Sequence, residues 1–194
     1  MSIVPLENCA ICQLHVDPAI RQRYEIQRSG LWVLRHHPNP APLPGWLLLD
    51  ALRHCSGPVD FSPAEAADWG RAVRDASRLV KQISGCERVY AIAYGEGAQH
   101  LHLHLIPRHL DEPASKAWAV ADLYRAMEAG NRAPADPVAV AALVQRCRSL
   151  ISTQGLKCLR VLVPLTLSFR LPSGQPRCLR RLKVLGEELK QFSL

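Results

Sequence analysis

Hydrophobic and polar positions alternate most strictly between Gln99 and Arg108. His100, His102 and His104 interleave with Leu101, Leu103 and Leu105, the period of two that predicts a half-buried strand. In such a strand the three imidazoles share one face, roughly 6.5 to 7 Å apart at about 3.3 Å rise per residue. The leucines point into a core. Upstream, Leu31–Arg35, Gly45–Asp50 and Arg88–Tyr94 are apolar, β-prone runs that predict further strands. Pro38 to Pro44 is too proline-dense for helix or interior strand and reads as an irregular connection. Ser62, Pro63 and Glu65 form a helix start with a capping box. Apolar residues at helical spacing from Trp69 to Ile83 then predict one amphipathic helix ending at Gly85. Gly95-Glu96-Gly97 supplies a turn into the histidine row. Beyond it, Ala114 to Met127 and Pro137 to Ile151 read as helices. A strand interrupted at Pro164 and a short final helix are expected within residues 156–194.

Composition changes this picture little. The chain has 194 residues, 48% hydrophobic and 21% charged, which suits a globular protein with a substantial core. No apolar stretch approaches the roughly 18 residues that span a bilayer, and no basic segment followed by an apolar run opens the chain. Seven cysteines without an export signal point to reduced thiols and metal ligation, with the cytoplasm as the expected compartment. The net charge of +7 is concentrated at the end. From Leu156 onward eight basic residues face two acidic ones, leaving +1 for the first 155. A basic tail of this kind suits an acidic partner or nucleic acid.

Candidate chemistry centres on histidine and cysteine. Three histidines in register point to metal binding, phosphate chemistry or both. Cys9 and Cys12 form a C-x-x-C pair, which reads as half a zinc site, a redox pair or two incidental thiols. Asn8 before it and Asp17-Pro18 soon after it favour zinc over a thioredoxin-like motif. Two cysteines cannot close a tetrahedral site, so two ligands must come from His15, His36, His37, His54, Cys55 or the histidine row. His54 falls just past a predicted strand end, where functional side chains often sit.

His100-x-His102-x-His104 followed by Ile106-Pro107-Arg108 resembles the signature of the histidine triad (HIT) family. The preceding order agrees: a C-x-x-C, a Pro-Gly-strand, Leu52-Arg53-His54, a capped helix and a hairpin. The resemblance covers about residues 5–108, and more weakly extends to about 155. The C-x-x-C and His54 point to the zinc-containing branch, similar to dinucleoside polyphosphate hydrolases. The resemblance implies an α+β fold: an antiparallel sheet of about five strands with one main helix and C-terminal helices. That domain would occupy residues 1–155, and residues 156–194 would form a basic extension of unknown role. It implies that His102 attacks the α-phosphorus of a nucleotide conjugate, giving a covalent nucleotidyl-histidine from which water releases a nucleoside monophosphate. It assigns His104 to the phosphate and the leaving group. It assigns His100, with Cys9, Cys12 and His54, to a closed Cys₂His₂ structural zinc site. A homodimer is also implied.

The chain departs from the family between Tyr94 and Gln99, where the segment is short and has no Asn, Ser or Thr. Backbone N–H groups of Gly95 and Gly97 and the Gln99 amide are the candidate phosphate donors. Trp46 stands where small or polar residues are common. Leu101 and Leu103 do not match the His-Pro-His-Gly-Gln of the sister nucleotidyltransferases. Three readings follow: a nucleotidyl hydrolase, a catalytically weak nucleotide-binding regulatory module, and a zinc-stabilised nucleic-acid-binding protein working through its basic tail.

Overall fold

A computed structural model describes residues 5–153; the strand and helix expected within 156–194 lie outside the described residues. The elements run α1 (Ala10–Val16), α2 (Pro18–Tyr24), β1 (Glu25–Arg28), β2 (Trp32–His36), β3 (Leu47–Ala51), α3 (Pro63–Ser84), β4 (Arg88–Ile92), β5 (His102–Arg108), α4 (Ala117–Glu128) and α5 (Pro137–Thr153). The five strands form one antiparallel sheet in the order β1-β2-β3-β5-β4. The architecture is α+β, and the expected strand count holds.

Local chemistry explains the boundaries. Asp17 caps α2 by accepting from the N–H groups of Ala19 and Ile20, with Pro18 in the first turn. The Ser62–Glu65 capping box is formed in both directions, and α3 ends at Gly85 with φ +70°, a left-handed conformation that glycine adopts without a Cβ clash. Helices α1 and α2 were not expected from the sequence. At seven residues each they are too short to show a periodicity, and their caps are the readable signal.

Register divides the sheet into two faces, because directly opposed residues in antiparallel strands project to the same side. Trp32 opposes Ala51, Leu34 opposes Leu49, and Leu49 opposes Leu103. These residues, with Leu47 and Leu105, pack on Ala72, Ala76, Leu79, Val80 and Ile83 of α3. The other face carries the row Val33–Asp50–His102 and, one step along, the row Arg35–Leu48–His104. Strand β5 starts at His102, so regular pairing includes two of the three histidines and His100 precedes it. At the far end of this second face Trp46 and Ile106 pack with Val120 and Leu123 of α4. No helix among the described residues is long and apolar enough to cross a membrane.

Candidate metal centre and nucleophile

Cys9, Cys12, His54 and His100 come together from three places: the start of α1, the loop after β3 and the entry to β5. Their ligand atoms all lie within 4.8 Å of one another. Nδ1 of His100 is 3.4 Å from Cys9 Sγ and 3.5 Å from Cys12 Sγ, and Nδ1 of His54 is 3.7 Å from Cys12 Sγ. A tetrahedral zinc with Zn–S of about 2.3 Å and Zn–N of about 2.1 Å requires sulfur–nitrogen edges of roughly 3.6 Å. The donor set therefore has the chemistry and the spacing of a structural zinc site. The rings are also oriented for it. His100 Nε2 lies 2.8 Å from the Ala51 carbonyl, so that nitrogen carries the proton and donates, and Nδ1 presents its lone pair to the cysteines. Burial lowers the His100 pKa to about 4, keeping the ring neutral.

The backbone of His100 serves the next histidine. Nδ1 of His102 lies 2.5 Å from the His100 carbonyl oxygen, which can only accept. Nδ1 of His102 therefore carries a proton, and in the neutral tautomer that this selects the free lone pair is on Nε2. His104 is fixed differently. The Trp46 indole N–H donates to His104 Nδ1 at 3.0 Å, so its ring proton sits on Nε2. Burial first, then the neighbouring His102, His37 and Arg35, lower its pKa to about 3. Tyr94 packs edge-on at 5.0 Å between ring centroids, and the His102 and His104 rings are 5.2 Å apart.

Other residues complete this face in roles that the sequence did not assign to them. His37 donates from Nδ1 to the Pro38 carbonyl at 2.7 Å, stands 6.3 Å from the His104 ring, and is held near pKa 4 by burial. Asp50, opposite His102, is fully buried. It accepts from Arg35 Nε at 2.5 Å and from His15 Nε2 at 2.9 Å. Burial alone would raise the Asp50 pKa, but the Arg35 charge and the His15 hydrogen bond lower it to about 2. A polar residue at the centre of an apolar strand is the readable signal for Asp50 and Arg35. His15 was weighed only as a zinc ligand; its Nε2 goes to Asp50 instead. Gly95, Gly97 and Gln99 stay exposed in the loop before β5. The loop residue in contact with the histidines is Tyr94.

Solved structures share this fold. A Hit-like protein involved in cell-cycle regulation from Bartonella henselae superposes with a TM-score of 0.53 at 14% identity, covering 75% of this chain and 98% of that one. A Zn-bound histidine triad family protein from Mycobacterium smegmatis gives 0.53 at 15%, covering 76% and 97%. A histidine triad protein from Bradyrhizobium japonicum gives 0.50 at 20%, covering 69% and 95%. No protein-family model and no curated protein matches the sequence. The chain thus has the histidine triad fold, at 14 to 20% sequence identity to these structures.

Proposed function

We propose that this protein is a nucleotide hydrolase acting on the α-phosphate of a dinucleoside polyphosphate or an adenylate conjugate. One observation carries the reading: the His100 carbonyl fixes the His102 proton on Nδ1 and leaves Nε2 as an unprotonated nucleophile beside His104. The His102 Nε2 lone pair forms a bond to the α-phosphorus and the bond to the leaving group breaks, with His104 Nε2–H as the donor that assists its departure. Water then attacks the same phosphorus, restores His102 and releases the nucleoside monophosphate. The Gly95 and Gly97 N–H groups and the Gln99 amide close on the phosphate from their loop. Cys9, Cys12, His54 and His100 hold zinc in this reading. When bound, zinc supplies a crosslink between α1, the loop after β3 and the entry to β5, and the closed ligand set leaves no position for water. Cys9, Cys12, Cys55 and Cys86 form no disulfide among the described residues, which suits a reducing cytoplasm, and a homodimer is the working assembly.

The test is intact-protein mass spectrometry after brief mixing with diadenosine tetraphosphate, quenched without acid, beside His102→Ala. An adduct of adenylyl mass and released AMP, both absent from the variant, are expected. Absence of both with this substrate and with an adenylate phosphoramidate sinks the hydrolase. A second reading, nucleotide binding without turnover, is favoured by the burial of His104, which is 4% exposed. AMP affinity without any adduct would establish it.

A further inference from the structure

The guanidinium of Arg35 is occupied along one edge only. Its Nε and one terminal nitrogen meet the Asp50 carboxylate at 2.5 and 3.3 Å. The remaining nitrogen, NH1, projects from the opposite side of the rigid planar fork. It is buried and has no hydrogen-bond partner among the described residues, in a side chain 4% exposed. A buried charged donor left without a partner is destabilising, so its presence points to a group that the protein itself does not supply. Asp50 cannot release Arg35 to satisfy NH1, because it is itself pinned by His15.

Position says what that group is. Arg35, Leu48 and His104 form one row across three neighbouring strands on the face that carries His102. Strands about 4.8 Å apart put the Arg35 and His104 backbones roughly 10 Å from each other. An oxyanion bound on this face would take charge-assisted hydrogen bonds of about 2.8 Å at the arginine end. We propose that Arg35 NH1 is an anion-binding donor of the triad site, taking a phosphoryl oxygen of the substrate on the β2 side of His104. Asp50 and His15 are positioning residues that hold the fork in place. The inference rests on the reading that this face binds a phosphate, and it adds the residue that recognises its charge.

The experiment titrates inorganic phosphate into the full-length protein by calorimetry, comparing wild type, His102→Ala, Arg35→Lys and the double variant Arg35→Met/Asp50→Leu. Lysine keeps the ion pair with Asp50 but has no second edge; the double variant removes the pair together, so no buried charge is stranded. Wild type is expected to bind phosphate, and His102→Ala gives the measure of losing a neighbouring ring from the same site. Arg35→Lys should weaken binding about tenfold or more, the effect of one charge-assisted hydrogen bond, and the double variant at least as much. Circular dichroism and metal content should stay unchanged. Equal phosphate affinity in all four proteins, or no phosphate binding by wild type, overturns the proposal. The adenylyl adduct on His102 is scored separately. An adduct without Arg35-dependent phosphate binding removes this inference and keeps the hydrolase; Arg35-dependent binding without an adduct does the reverse.

Discussion

Asp50→Asn is a direct test of the buried charge cluster beside His102. Asparagine keeps the shape and can still accept from Arg35, but it neither carries charge nor titrates. In the folded protein the Asp50 pKa falls from 3.8 to about 2. At about 1.36 kcal/mol per unit that gap is worth about 2 kcal/mol, and full burial of the residue leaves no solvent screening to discount. The sign follows from linkage. A carboxylate with a depressed folded pKa contributes stability above its unfolded pKa and loses it as pH falls through the folded one. The contribution is therefore complete above about pH 5, roughly half gone at pH 3 and lost below about 2. At neutral pH the substitution also leaves the Arg35 charge facing a neutral partner. Breaking a buried pair this way costs about 3–5 kcal/mol. Urea unfolding followed by tryptophan fluorescence, for both proteins from pH 7 to 2.5, gives the difference directly. Glu25 and Glu65, whose pKa values are also lowered, are present in both chains and cancel. The difference should shrink by about 2 kcal/mol across the acid range. A pH-independent difference, or a cost below about 1 kcal/mol at pH 7, would refute the cluster as described.

Three further substitutions probe the other parts. Cys12→Ser should take bound zinc from one per chain to near none by atomic absorption and lower Tm by about 4–8 °C, the shift for about 2 kcal/mol in a chain of this length; full metal content would count against the Cys₂His₂ assignment. Trp46→Phe keeps the ring against His37 and His104 but removes the donor to His104 Nδ1, so it should cost about 1–2 kcal/mol. In the hydrolase reading it should also lower kcat about tenfold with little change in KM, and an unchanged kcat would mean that the tautomer of His104 does not matter. Ser62→Ala removes the α3 cap and should cost about 1 kcal/mol while leaving metal content and phosphate binding as they were; a loss of either would show that α3 reaches the site more directly than its contacts indicate.

The fold was legible where a pattern ran long enough to be periodic or was closed by a cap. The Leu101-Leu103-Leu105 alternation and the α3 stripe were read correctly because both pack on one core, and the Ser62–Glu65 box fixed where α3 begins. Strand order was a different matter. That β3 lies beside β5 rather than β4 depends on α3 crossing the sheet, which no local pattern states. Cys9 and Cys12 were legible as half a zinc site from their spacing, but the choice of His54 and His100 among the candidate partners came only with the family resemblance, since Cys12 and His100 are 88 positions apart. Arg35 and Asp50 were missed, and His15 was weighed only as a zinc ligand. Each strand residue stands out as polar in an apolar run, but only the register that opposes Val33 to Asp50 and Asp50 to His102 places the two on the face of His102, and the His15–Asp50 hydrogen bond adds the third residue.

That register also sets how metal loss should act on the chemistry. His100 serves two sites with two different groups: its ring faces the cysteines, and its carbonyl holds the His102 proton. The ring is held by its Nε2 hydrogen bond to the Ala51 carbonyl and lies against both cysteine sulfurs. The carbonyl has a second support, because the neighbouring Leu101 donates its N–H to the Cys55 carbonyl at 2.7 Å and accepts from the Ala51 N–H at 3.0 Å. The first of these bonds reaches the loop after β3 and the second the last residue of β3, and neither uses the side chain of a metal-site residue. Stripping zinc with a chelator should therefore lower thermal stability first, while a protein kept well below its new Tm retains the His102 tautomer and its ability to form an adduct. Had the metal itself positioned the nucleophile, adduct formation and metal content would fall together at every temperature. Measuring both in one chelator series at 10 °C, where the stripped protein is still folded by circular dichroism, separates the two.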